Sequence, residues 1–72
     1  MTDTEKLKEA IDKSGIKLDA IMTATGIKSY ATLRGRINND TEFTASEISA
    51  IADLLRMTPE QRDQIFFAQH AE

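Results

Sequence analysis

The apolar residues of this chain recur with the period of an α-helix in five short bouts, and each bout is bounded by residues suited to starting or stopping a helix. Leu7, Ala10, Ile11 and Ser14 occupy one face, Thr2 and Glu5 read as a capping box before them, and Gly15 stands where the chain must leave through the left-handed region. The spacing predicts a first helix from about Asp3 to Ser14. Leu18, Ile21, Met22 and Thr25 repeat it in two turns that stop at Gly26; Lys17 is a poor cap there, so this helix must lean on its packing. Ser29 caps a third helix with Tyr30, Leu33, Arg34 and Ile37 on one face and Ala31, Thr32, Gly35 and Arg36 on the other. Asn38 and Asn39 are its expected terminators, because asparagine tolerates the left-handed region. Thr44 with Glu47 forms a capping box before Ile48, Ile51, Ala52, Leu54 and Leu55. Thr58, Pro59 and Gln61 then supply cap, first-turn proline and capping-box glutamine for a fifth helix that turns Ile65 and Phe66 inward, with Phe67 as a further candidate. No stretch alternates as a strand does, so the expected class is all-α, a compact five-helix domain.

Size narrows the choice further. Seventy-two residues bury only about 60% of the surface of their unfolded chain, enough for one small core and one domain spanning 1–72. There is no cysteine, so neither disulfides nor a thiolate zinc cage supplements that core. No apolar run approaches the roughly 18 residues of a membrane span, and "MTDTEKLKEA" is charged and helical in pattern rather than a signal peptide. A cytoplasmic protein is expected.

The formal charge of −3 is unevenly spread. Residues 1–12 carry two lysines against four acids, residues 13–36 carry five bases against Asp19 alone, and residues 37–72 carry two arginines against seven acids. A positive middle third can meet phosphate, whereas the acidic remainder repels it and can meet a basic protein. Catalysis is not expected. Ser29 and Thr58 read as caps rather than nucleophiles, and His70 is the single histidine, without a partner for general-base or metal chemistry. No cofactor, metal or small-molecule substrate is implied.

The basic segment "TATGIKSYATLRGRINND" places Gly26 as a corner between two short helices. In such an arrangement one helix braces a second at a steep angle and leaves the outer face of the second free to enter a groove. Ile21, Ile27, Leu33 and Ile37 are the expected core anchors. Lys28, Ser29, Tyr30, Thr32, Arg34 and Arg36 are the candidates to touch DNA or a partner, with Lys28 and Arg36 on phosphates and Arg34, Tyr30 and Thr32 near base edges. Tyr30 also fits a core-edge aromatic, and the cations also fit an ordinary solvated face.

The order of these features resembles a known family. "GIKLDAIMTATGIKSYATLRGRINND" is similar to the helix-turn-helix of Cro/CI-type phage regulators, with Gly15, Ile21, Gly26, Ile27, Leu33 and Ile37 at the family's glycine and core positions. "FTASEISAIADLLRMTPEQRDQIFFA" continues the likeness, which covers about residues 5–69. In size, and in "EFTASEI" and "IFFA", the chain resembles the modulator-of-repression type, a Cro-like partner of a CI-type repressor in temperate phages of Gram-positive bacteria. The resemblance implies a lambda-repressor-like DNA-binding domain with its helix-turn-helix at about 17–38, working in the cytoplasm of a bacterial host. Two functions follow as expectations. One is an antirepressor of a lysis/lysogeny switch that binds the DNA-binding domain of its cognate CI-type repressor, with Asp40, Glu42 and Phe43 added to the contact surface. The alternative is a stand-alone Cro-like repressor that reads operator DNA by itself.

Overall fold

The computed structural model describes residues 1–68; His70 lies outside them. Its helices are α1 (Thr4–Ser14), α2 (Leu18–Thr25), α3 (Tyr30–Ile37), α4 (Ala45–Leu54) and α5 (Pro59–Phe66). Among the described residues there is no strand, and no helix is long and apolar enough to cross a membrane.

The helix ends explain why the chain breaks where it does. Gly15 (φ 71°) and Gly26 (φ 78°) both take the left-handed conformation, which a side chain makes costly. A hydroxyl clasps each corner. Thr25 Oγ1 donates to the Ile21 carbonyl at 2.8 Å and accepts from the Ile27 N–H at 3.3 Å. Ser14 Oγ does the same between the Ile11 carbonyl and the Ile16 N–H, at 2.7 and 3.1 Å. The repeated Ser/Thr-Gly-Ile triplet is thus a repeated device for turning the backbone and delivering the following isoleucine toward the core. Ser29 accepts from the Thr32 N–H, and the capping boxes Thr44/Glu47 and Thr58/Gln61 are both complete. Lys17 makes no side-chain cap bond.

One cap differs from expectation. Asp3, not Thr2, caps α1, its carboxylate accepting from the Lys6 N–H. Thr2 is buried instead, because the chain before α1 is stitched to the far ends of α3 and α5. Its N–H donates to Asn39 Oδ1 at 3.0 Å, and Asn39 Nδ2 donates back to the Thr2 carbonyl. Thr4 Oγ1 donates to the Ile37 carbonyl at 2.6 Å, and the Asp3 N–H to the Ile65 carbonyl at 2.6 Å. Carbonyls that a helix C-terminus leaves without partners are satisfied here by a segment from the opposite end of the sequence.

Leu7, Ile21, Leu33 and Ile51 are fully enclosed and form the centre of the core, with Ile27, Ile37, Phe43, Ile48, Ile65 and Phe66 around them. The Phe43 and Phe66 rings meet edge to face, 5.4 Å apart at 87°, the arrangement favoured by the ring quadrupoles. Phe67 points outward and is 53% exposed, since neighbours on one helix cannot share a face. The closest helix pairing is α2 with α4, while α3 rests on α1. The bracing of α3 therefore comes from α1 and from shared core side chains, rather than mainly from α2 as the sequence suggested.

Candidate interaction surface on the third helix

Helix α3 divides its residues sharply. Leu33 and Ile37 are buried, whereas Lys28, Ser29, Tyr30, Ala31, Thr32 and Arg34 are exposed and Gly35 is half-buried. The inward pair is one turn apart, so two side chains fix the rotation of the helix and with it everything that faces out. Tyr30 keeps 46% of its surface exposed, and the Arg34 guanidinium sits over its ring at 5.4 Å. This i, i+4 contact holds a long cation against a flat aromatic and restricts the freedom of the Arg34 side chain.

Arg36 is withdrawn from that surface. Its Nε lies 2.9 Å from Glu47 Oε1, with the two side chains only 21% and 11% exposed. The contact is Coulombic rather than a hydrogen bond, since the Nε–H has no acceptor in line. Its terminal nitrogen donates to Thr41 Oγ1 at 3.1 Å and to the Glu42 carbonyl at 3.3 Å. Glu47 Oε1 also accepts from the Thr44 N–H at 2.9 Å. One guanidinium thereby holds the end of α3, the connecting loop and the start of α4 together, a structural task that the phosphate role expected of Arg36 leaves out.

Phe43, expected at the partner surface, belongs to the core through its contact with Phe66; an aromatic buried edge to face against α5 is not free to be offered outward. Asp40 and Glu42 are exposed. The loop that carries them starts with a tight reversal. Asn39 takes φ 67°, its N–H donates to the Arg36 carbonyl at 3.3 Å, and the Asp40 N–H donates to the Gly35 carbonyl at 2.8 Å. These are the two bonds of a Schellman ending, with asparagine in the left-handed position.

No family model, curated protein or solved structure matches this chain. The surface is therefore read from its own chemistry. It joins a groove between α1 and α3 that residue spacing alone did not reveal, lined by Lys8, Ile11, Asp12, Leu18, Arg34 and Asn38. Arg34 stands at the meeting point of groove and helix face. Of the three cations in the α3 segment, Lys28 and Arg34 remain outward, against the exposed acids Asp40 and Glu42. The face is close to neutral, small in its side chains and apolar along one border.

Proposed function

We propose that this protein is an antirepressor of a phage lysis/lysogeny switch that binds the DNA-binding domain of its cognate CI-type repressor through the outer face of α3 and alters that repressor's access to operators. It acts as a binding module of the bacterial cytoplasm, without catalysis or a cofactor. The observation that carries the reading is the removal of Arg36 into its pair with Glu47, which leaves Lys28 and Arg34 beside Asp40 and Glu42 on the exposed side. A near-neutral face suits a protein carrying both signs of charge better than a polyanion. The sequence resemblance to modulator-of-repression proteins supplies the partner. Tyr30 and Arg34 are the expected anchors, since aromatic and guanidinium groups carry most of the energy at protein interfaces. Light scattering on a mixture of this protein and the repressor's DNA-binding domain tests it: a complex with the summed mass is expected, and two unaltered peaks refute it. Tyr30 is the only tyrosine in a chain without tryptophan, so its emission reports directly on this face.

A second reading, a Cro-like repressor that binds operator DNA alone, is favoured by the left-handed Gly26 corner ahead of the capped α3, an arrangement compatible with a helix-turn-helix. Gel shifts over a salt series separate the two. Sequence-selective shifts by the protein alone support this alternative, and their absence at low salt removes it.

A further inference from the structure

Asp40 is the acid near α3 whose place the fold does not explain. The Asp40 and Thr41 N–H groups both donate to the Gly35 carbonyl, at 2.8 and 3.3 Å, so the loop folds back onto α3. The loop lies directly over Gly35: a Cβ there would be in ordinary van der Waals contact, 3.9 Å from both Asp40 Cβ and Thr41 Oγ1. Asp40 consequently ends the outward stripe that runs through Lys28, Ala31, Thr32 and Gly35. Its side chain is exposed and, among the described residues, makes neither a hydrogen bond nor an ion pair. It also sits at the C-terminal, negative end of α3, where the helix dipole disfavours an anion. Glu47 is different, lying in the first turn of α4, where it completes the capping box and pairs with Arg36, and Glu42 is held by Arg36 through its backbone carbonyl.

We infer that Asp40 is a specificity determinant, keeping nucleic acid off the outer stripe of α3 while leaving that stripe open to a cationic protein surface. The second half rests on the partner proposed above; the first stands on geometry alone. A duplex presents one negative charge per about 1.7 Å of axis, so a helix entering a groove brings the ends of its outer stripe against phosphates. With Arg36 occupied, one carboxylate there offsets half of the charge that Lys28 and Arg34 provide. A lysine or arginine of a protein partner meets the same carboxylate as a counter-ion.

The experiment compares Asp40→Lys and Asp40→Asn with Glu9→Lys, which makes the same charge change as Asp40→Lys on the groove that α1 shares with α5. The probe is a fluorescein-labelled mixed-sequence DNA duplex of about two helical turns, titrated by anisotropy from about 50 mM salt upward. Asp40→Lys is expected to bind roughly tenfold more tightly than Glu9→Lys, with a salt slope steeper by about one, and Asp40→Asn to fall between wild type and Asp40→Lys. Equal binding by Asp40→Lys and Glu9→Lys overturns the inference, since the effect is then one of net charge. Melting curves guard the premise: both Asp40 variants should melt at or above the wild-type temperature, and a clear loss would show that the carboxylate has a structural task. Absence of repressor binding by the wild type sinks the proposed partner without touching the duplex comparison.

Discussion

At the scale of single residues, the decisive question on α3 is which side chains the fold keeps for itself. Leu33 is fully enclosed, and truncating it leaves a cavity that neighbours only partly fill. Leu33→Ala should cost about 2–4 kcal/mol, checked by urea denaturation followed by circular dichroism. Arg34→Ala removes an exposed group and should leave that midpoint unchanged while weakening the proposed complex with the repressor's DNA-binding domain tenfold or more, roughly the 1.4 kcal/mol or more expected of an interface anchor. Arg36→Ala should do the opposite, destabilising the fold by roughly 1–3 kcal/mol because Glu47 is left largely buried without its counter-charge. The exposed Glu9–Lys13 pair, 2.8 Å apart, is a useful contrast. The hydrogen bond with Lys13, and then its charge, hold the Glu9 carboxyl below its ordinary value, and the same pairing holds the Lys13 ammonium above its own. The Glu9 contribution is therefore present above the ordinary carboxylate range and lost as pH falls through its lowered value. The Lys13 contribution is present below the ordinary ammonium range and lost as pH rises through its raised value. Both side chains are solvated, so Glu9→Gln at neutral pH should leave the melting temperature unchanged.

At the scale of elements, the ends matter more than the middles. Helices this short are marginal in water, and their stops are set by left-handed residues and hydroxyl clasps. Arg56 is the anomaly. It takes φ 55°, with its own N–H on the Asp53 carbonyl at 3.2 Å and the Met57 N–H on the Ala52 carbonyl at 2.9 Å, a second Schellman ending with arginine where glycine is usual. Arg56→Gly relieves the Cβ penalty at some cost in chain entropy. The net gain should be about 0.5–1 kcal/mol, a rise of several degrees in melting temperature. An unchanged or lower value would mean that the arginine side chain contributes something its backbone position does not explain.

At the scale of the molecule, the chain is closed on itself. Its first residues are tied to Asn39, Ile37 and Ile65, so α1 cannot fray without disturbing the ends of α3 and α5. Thermal unfolding monitored by far-ultraviolet dichroism and by Tyr30 emission should give coincident curves. Replacing Asn39 by alanine removes the bridging amide and forces a left-handed alanine. It should separate the curves or lower both midpoints together.

Helix number and order, every N-cap except the first, both glycine corners and the inward pair Leu33 and Ile37 were legible in the sequence, whereas the ending of α4 at a left-handed Arg56 was not. All are local: a period of 3.6 and a cap a few residues away are written within one turn or two of the chain. Tertiary structure alone decided which cations stay outside. Helical spacing puts Arg34 on the face of Leu33 and Ile37 and Arg36 on the other, yet Glu47, eleven positions after Arg36, captures Arg36 and leaves Arg34 exposed over Tyr30. The same holds for Phe43, claimed by Phe66, and for Thr2, claimed by Asn39. Periodicity tells which way a residue points along its own helix; what it meets there depends on residues whose distance along the chain carries no information about their distance in space.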